Sequence, residues 1–540
     1  MKLSFLLGAV LAMSAPRLTA AEAPPTGPVP VGTVALAKKE ELKGTITLPN
    51  HNTLLFIPTP TTNKVRVVAI GPHGAPAWEA TLAKAQQIRE GGLYGTSVLS
   101  ESVNTLLPLF LTSVGNTVYS VESVTDAPAS SGLPRYALLV QALSATGQVA
   151  GRAFAAPAPP DKTERLTITT FAEDDAVYAL MRESNVREKT SQLFLDRCDL
   201  RTGKLTHTAL PLPAPAPLRK AEGFDLNWVF AGLRAGTCYF YRALKGSDPK
   251  TDARGVPVEF EVKLLATDGH EAGGFTTTLH QHLPPNAFVQ GATSFPHHGL
   301  AMAPSWLAAT DKQANQLSSF RISTGGNCEF FLDEATGDCL FAGQYTNQVY
   351  RPQTDGVPSQ GTFVQRYSPT GTLVKTAIAP YALLKGFDAD LLMTKAYMPL
   401  MAAVLRSPQN QELTFHFRAK ESYVVSTYDA QLTPAPQQLV PMVESRGISY
   451  SKQVYWSGPS YLESFNKTTG AAQPFLSVDV LRASPTALHR KIGELVQAEF
   501  VGARSPGFYY YVAALTGPGS ALVFAFHYRT GEPISVFEVK

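Results

Sequence analysis

The chain has 540 residues, of which 16% are charged and 10% aromatic, and its formal net charge is +3. A chain of this length is too long to fold around one ordinary hydrophobic core. The low fraction of charged residues, together with many aromatic residues, excludes a disordered protein. Lys and Arg number 46 against 43 Asp and Glu, with no basic run, so nucleic acid and anionic membranes are not predicted partners.

The first residues predict a signal peptide over 1–23. Lys2 precedes an apolar stretch from Leu3 to Ala15, and small residues follow as far as Ala23. That stretch is too short to span a bilayer, and no later apolar run reaches the roughly 18 residues of a membrane helix. We therefore expect a secreted or periplasmic protein with no transmembrane segment after cleavage, and an uncleaved N-terminal anchor is the alternative.

A Pro-rich lead-in follows over 24–40, and short strands with repeated turns fill the rest, 41–540. Thr-Gly pairs close turns at 146–147, 202–203, 370–371, 469–470 and 530–531, and related turns lie at Gly74, Gly269 and Asp429. Units of about four short strands that recur every few tens of residues are typical of a β-propeller. The glycine is expected because the last turn position requires a left-handed backbone.

Counting one blade per turn predicts an all-β propeller of about eight four-stranded blades. Seven full blades with one imperfect element is the alternative count, because the unit that ends at Gly470 is short. The turn rhythm fails between Gly269 and Gly371, where residues 281–327 are either an insertion or a degenerate blade.

Two repeat families resemble parts of the chain. The segment from Phe331 to Thr346, together with Gly361 to Lys375, resembles one bacterial extracellular β-propeller repeat. The Thr-Gly hairpins resemble the repeats of quinoprotein propellers. Both resemblances imply the propeller fold and carry no activity, because catalytic quinoproteins place a Trp after these turns and often carry adjacent Cys, whereas here only Trp78 follows a turn closely and no two Cys adjoin.

Histidines are concentrated in the segment where the regular spacing of turns is interrupted. Five of the eleven lie between residues 270 and 298, and the predicted metal ligands are His280, His282, His297 and His298. His280 and His282 would share one face of a strand, where neutral imidazoles can bind Zn²⁺ or Cu²⁺. Exposed loop histidines are the alternative, and no motif assigns any other cofactor.

The four cysteines do not form a disulfide framework. Cys328 and Cys339 flank a predicted hairpin and are the candidate disulfide, whereas Cys198 and Cys238 are expected to be buried free thiols. The sequence leaves two function classes open. The first is an exported, non-catalytic scaffold that binds a protein or carbohydrate partner, and the second is an exported hydrolase, lyase or metal-dependent enzyme with an axial or His-cluster site.

Overall fold

The computed structural model describes the chain from residue 28 to 540, with gaps. The gaps are residues 38–39, 41, 43, 60–63, 84–109, 128, 162, 174, 186–189, 213–227, 246–258, 284–287, 290–327, 334–335, 347–359, 382–400, 407–411, 420–421, 442–452, 458–474, 503–508 and 528–530. Among the residues so described, no helix is long and apolar enough to cross a membrane.

Seven sheets follow one another along the chain and form the blades of a β-propeller; the first six are antiparallel throughout, and the seventh contains one parallel strand pair. Blade I comprises β2 (Gly44–Thr47), β3 (Thr53–Thr59), β4 (Lys64–Ile70) and β5 (Pro76–Ala83). Blade II comprises β6 (Phe110–Val114), β7 (Thr117–Val124), β8 (Ala137–Leu143) and β9 (Val149–Ala155). Blade III comprises β10 (Thr163–Glu173), β11 (Ala176–Asn185), β12 (Thr190–Asp199) and β13 (Leu205–Ala209).

The next three blades repeat this order. Blade IV comprises β14 (Val229–Arg234), β15 (Thr237–Lys245), β16 (Glu259–Ala266) and β17 (Glu271–Thr278). Blade V comprises β18 (Phe288–Val289), β19 (Cys328–Leu332), β20 (Cys339–Thr346), β21 (Gln360–Tyr367) and β22 (Leu373–Pro380). Blade VI comprises β23 (Met401–Arg406), β24 (Leu413–Ala419), β25 (Ser422–Tyr428) and β26 (Gln438–Pro441).

Blade VII is built from both ends of the chain. Its strands are β29 (Tyr509–Gly517), β30 (Ser520–His527), β31 (Ile534–Val539) and, as the outermost, β1 (Gly32–Val34). A further hairpin, β27 (Gln453–Ser457) and β28 (Phe475–Ser477), joins the inner edge, where β27 runs parallel to β29. The helices α1 (Val478–Ala483) and α2 (Ala487–Gly502) precede β29 and pack against this blade.

The blades surround an axis with their first strands innermost. The first strands of adjacent blades touch, as β6 touches β10, and β2 touches both β27 and β29 of blade VII. The side chains of Thr45 to Thr47 are buried. The outermost strand β9 is mostly exposed, and β13, also outermost, has no buried residue. Apolar side chains from facing sheets fill each gap. Between blades II and III these are Val121, Leu138, Val140, Phe154, Val177, Ala179, Met181 and Cys198.

The seven blades correspond to the lower of the two predicted counts. The turn at Gly470 produced the higher count, and it lies outside the described residues, between β27 and β28. Because those two strands join the sheet of blade VII, this turn adds no blade.

The anomalous stretch 281–327 contributes to blade V rather than forming a sheet of its own in its described part. Phe288 and Val289 pair with Thr346 and Tyr345 of β20, and Cys328 pairs with Gly343 of the same strand. The innermost strand of blade V is therefore split into β18 and β19, and residues 290–327 connect the two halves.

The predicted glycine turns have the backbone that the sequence pattern requires. Gly74, Gly147, Gly203, Gly269, Gly371 and Gly531 all have positive φ. In blade VI, Leu432 takes this position with φ of 59°. The first five glycines also contact the outer strand of the preceding blade; for example, a Cβ on Gly147 would lie 2.8 Å from the Trp78 ring. The indole of Trp78 donates a 2.8 Å hydrogen bond to the Ala145 carbonyl in the same turn.

We expect Gly147→Ala to destabilise the protein more than Gly115→Ala. Both glycines have positive φ in blade II, so alanine costs about 1 kcal/mol at each for its left-handed backbone. A Cβ on Gly115 meets nothing within 4 Å, whereas one on Gly147 meets Trp78 and adds roughly 1–3 kcal/mol of overpacking. Urea unfolding of both variants measures the difference, and equal destabilisation would contradict this packing.

Candidate functional site

The propeller has two unlike faces because strands alternate in direction within each blade. In blades I to VI, one face carries the first-to-second and third-to-fourth connections; we call it the turn face. The other carries the second-to-third connections and the links between blades; we call it the crossover face. Turn-face connections range from two residues, as at 115–116, to nine, at 429–437. The crossover face also has short connections, at 60–63, 186–189 and 420–421. Crossover-face connections include 84–109, 125–136, 210–228, 246–258, 347–359, 381–400 and 442–452.

The interrupted strand of blade V opens towards the crossover face. β20 ends on this face at Thr346, so Val289 and Cys328, which pair with Tyr345 and Gly343, lie in the half of the blade nearest to it. Residues 290–327 therefore leave and rejoin the innermost strand near the mouth of the axis on that side. A long connection that starts at the inner edge of a rigid blade is typical of functional segments in propellers.

A row of ionisable side chains crosses all four strands of blade III and forms its charge ladder: Arg165, Glu183, Asp196 and His207. They share the face of the sheet that packs on blade II. The Arg165 Nε atom donates a 2.7 Å hydrogen bond to Glu183 Oε1, and the side chains of this pair are 4% and 8% exposed. His207 Nδ1 bonds to Oδ1 of the fully buried Asp196.

The ladder fixes the histidine between two carboxylates. His207 Nε2 lies 3.8 Å from Glu183 Oε1, beyond hydrogen-bond distance, and its ring stacks on Phe194 at 4.3 Å between centroids. Arg165 also donates to the carbonyl of Pro157 in the link from blade II. Each of these groups is engaged by another member of the ladder or by the neighbouring blade, so the ladder joins strands and blades.

A second paired arginine lies near the crossover face between blades III and IV. The guanidinium carbon of Arg242 is 4.4 Å from the ring centroid of Trp228, and Arg242 also pairs with Glu261 at 2.6 Å. Trp228 precedes β14 directly and is 2% exposed. The cation–π contact and the ion pair therefore anchor the end of the 210–228 link to blade IV.

The structure describes three histidines of the predicted cluster, of which His280 and His282 are predicted metal ligands and His270 is not. His270 follows a turn-face turn and bonds to Asp268. His280 and His282 belong to a 3₁₀ helix, Leu279–His282, so the expectation that they lie on a strand is wrong. With three residues per turn, positions two apart do not share a face of such a helix. His297 and His298 lie outside the described residues. In the part of the chain that is described, no three His, Cys, Asp or Glu side chains could hold a metal ion together.

The candidate disulfide is not formed. Cys339 is free, and its partner across the ladder is Leu332, whereas Cys328 lies opposite Gly343. Four residues of strand separate those positions by about 13 Å, well beyond the roughly 7 Å that a disulfide spans between Cα atoms. The unequal offsets from the turn thus prevent the bridge.

Cys198 and Cys238 are buried free thiols, as expected. Burial raises the pKa of Cys238 and of Cys339 to about 12, and it raises the pKa of Cys198 as well. Thiols held in their neutral form are poor nucleophiles. We therefore assign these three cysteines to packing.

Sequence reasoning did not identify the charge ladder. Asp196 follows the apolar residues Leu193 to Leu195, and at a two-residue period it falls on the same face as Phe194 and Cys198. An inward-pointing carboxylate in a buried strand requires a partner. That signal was available, but His207, Glu183 and Arg165 become its neighbours only through strand register.

Comparison with known proteins found no matching family model and no matching curated protein. Similar solved structures include a prolyl endopeptidase, with 12% identity, a TM-score of 0.33, and coverage of 77% of this chain and 44% of that one. A sucrose-6-phosphate hydrolase from Lactobacillus gasseri has 9% identity, a TM-score of 0.28, and coverage of 76% and 87%. A quinoprotein alcohol dehydrogenase-like protein from Bacteroides thetaiotaomicron has 11% identity, a TM-score of 0.29, and coverage of 75% and 67%.

This chain thus spans less than half the length of the prolyl endopeptidase it matches. Identities and TM-scores this low support no inference about activity.

We expect Glu183→Gln to destabilise the protein by about 3 kcal/mol or more, because it leaves the Arg165 charge buried without a counter-ion. The matched control is Glu79→Gln, since Glu79 is 56% exposed and lies 3.6 Å from Arg66. That change should cost less than about 1 kcal/mol. Chemical denaturation measures both variants, and a Glu183 variant as stable as the control would show that the ladder is not a structural tie.

Proposed function

We propose that this protein is an exported, non-catalytic β-propeller that binds a protein or carbohydrate partner on its crossover face. The observation that carries the proposal is the difference between the two faces. In blades I to VI every connection longer than nine residues lies on the crossover face, whereas the turn-face connections span two to nine residues. Binding surfaces on rigid scaffolds form where long connections gather.

The turn face is occupied by contacts that hold the blades together. The Gly147 and Gly371 amides close their turns by donating to Ser144 and Ser368 carbonyls, at 3.0 and 2.9 Å. The same glycines pack against Trp78 and Phe275 of the preceding blades. Substitutions there are constrained by packing, so this face has little freedom to adapt to a partner.

The placement of the terminal strands also leaves the crossover face open. β1 begins beside Gly74 of a turn-face turn, and near the end of β31 Glu538 bonds to His73 of the same turn at 3.0 Å. A signal peptide upstream of β1 would therefore leave from the turn-face side, so export and processing would not obstruct the proposed binding face.

Paired charges support the scaffold role. Arg366 pairs with Asp333 at 2.6 Å within blade V, as Arg165 pairs with Glu183 and Arg242 with Glu261 in their blades. In these salt bridges the ionisable side chains hold neighbouring strands together. A rigid frame of this kind lowers the entropic cost of presenting loops to a partner.

We expect a photo-crosslinking residue at Ser130 to capture the partner and one at Lys204 to capture none. Both side chains are exposed; Ser130 lies in the 125–136 connection on the crossover face, and Lys204 lies in the turn-face turn of blade III. The measurement is irradiation in the native envelope or medium, followed by mass spectrometry of adducts reproducible across conditions. Capture at Lys204 alone would place the binding face on the opposite side, and no reproducible adduct at either position would contradict the scaffold role.

The second candidate is an exported hydrolase, lyase or metal-dependent enzyme with an axial or His-cluster site, and chain topology favours the His-cluster version at one place. The 3₁₀ helix with His280 and His282 lies in the link from blade IV to blade V on the crossover face. The 290–327 segment, which contains His297 and His298, starts from β18 nearby. Gln365 fixes this link by donating a 2.8 Å hydrogen bond to the Leu279 carbonyl.

We expect, for this second candidate, that purified protein holds bound Zn²⁺ or Cu²⁺ and that His280→Ala with His282→Ala removes it. His270→Ala is the matched control, because that residue lies on the turn face and should not change metal content. Elemental analysis after dialysis gives the stoichiometry. The metal-dependent hypothesis would be contradicted if the wild-type protein contained no bound metal and the double variant were as stable as the wild type.

A further inference from the structure

The link from blade II to blade III, residues 156–162, lies on the crossover face and reads Ala-Pro-Ala-Pro-Pro over 156–160. Proline fixes its own φ, and the residue before a proline is restricted to extended backbone. Each residue of this run either is a proline or precedes one. The run is therefore held in the polyproline II conformation, a left-handed helix with about three residues per turn.

Burial along the link repeats every three residues, as this helix requires. Ala156 and Pro159 are half-buried and form the side that faces the blades, whereas Pro157 and Pro160 are exposed. The two exposed prolines therefore share one side of the helix, about 9 Å apart along its axis. We call this pair, Pro157 and Pro160, the proline ridge.

Hydrogen bonds to the backbone of the link hold the ridge in place. The Ala156 amide donates to the Tyr136 carbonyl at 2.9 Å, so the link lies beside the 125–136 connection. Arg165 of the charge ladder donates to the Pro157 carbonyl at 2.8 Å. Because the ridge is fixed before a partner arrives, binding to it costs little conformational entropy.

We infer that the proline ridge is what the partner recognises on the crossover face, and that this partner is a protein with an aromatic groove flanked by Lys or Arg. The inference rests on the proposed function. Grooves lined by aromatic side chains bind exposed prolines of preformed polyproline II segments. The basic flank is expected because Asp161 directly follows the ridge and is exposed.

A carbohydrate fits the ridge less well than a protein groove does. Proline has an aliphatic ring and no amide N–H, so the ridge offers sugar hydroxyls no backbone donor at either of its two positions.

The test measures capture of the partner by a photo-crosslinking residue at Ser130, in the native envelope or medium, with and without substitutions in the ridge. Pro157→Ala with Pro160→Ala should lower the adduct yield at least about fivefold, because both anchor rings are lost. Pro159→Ala is the matched control and should leave the yield unchanged. That position is on the half-buried side of the link, and an alanine there still precedes Pro160, which keeps its backbone extended.

A synthetic peptide of residues 155–161, Ala-Ala-Pro-Ala-Pro-Pro-Asp, gives a second measurement that does not depend on the folding of a variant. In excess it should compete with the protein and lower the adduct yield, whereas the same peptide with alanine in place of both ridge prolines should not. A photo-crosslinking residue at Ala158, which is exposed beside the ridge, should attach to a partner peptide that contains aromatic and basic residues.

The outcomes separate this inference from the proposal on which it rests. Capture at Ser130 that is reduced neither by the double substitution nor by the peptide would overturn the ridge and leave the scaffold role intact. An adduct with a carbohydrate would do the same. Absence of any reproducible adduct at Ser130 or at Lys204 would contradict the scaffold role itself, and the inference with it.

Discussion

The pairing of β1 with β31 is the interaction on which the rest of the structure depends. In a ring of blades the first and the seventh sheets are neighbours. Residues from the two ends of the chain must therefore come together to close the ring. The structure does this with three residue pairs, Gly32 to Val536 through Val34 to Ile534, and with the apolar core beneath them. The entropic cost of closing so long a loop grows only slowly with length, so a short strand can suffice. Once closed, every blade has a neighbour on both sides.

Closure also determines what the two faces can do. Because each turn glycine packs on the preceding outer strand, the turn face repeats one local solution around the ring, from Gly74 to Gly371. Polar side chains also hold the links between blades. Gln141 both accepts a hydrogen bond from the Ala83 amide and donates one to its carbonyl, and Gln365 donates a hydrogen bond to the Leu279 carbonyl. The crossover face carries these links, and the chain places its longest connections there as well, whereas the packed turn glycines of blades I to V lie on the opposite face. The scaffold proposal follows from that division.

Local patterns in the sequence predicted the blades well, but they could not predict contacts between residues that are far apart in the chain. The glycine turns were predictable because a left-handed backbone is a property of one residue and its immediate neighbours. The choice between seven and eight blades and the pairing of Cys328 with Cys339 were beyond such patterns, because both depend on which strands pair and in what register. The strand expected at His280 was wrong because the chain forms a 3₁₀ helix there. Gly470 resembles a blade turn, yet its flanking strands join blade VII, whose outer strand comes from residue 32. The ladder of Arg165, Glu183, Asp196 and His207 likewise exists only once four strands align.

The most direct test of the central claim is hydrogen exchange measured by mass spectrometry on the native protein, alone and with its captured partner. The account predicts slowed exchange in peptides of the crossover face, above all the 125–136 connection of blade II, with unchanged exchange in turns such as 199–204. Protection confined to the turn face would contradict it, because that would place the partner on the surface that this fold devotes to joining its blades.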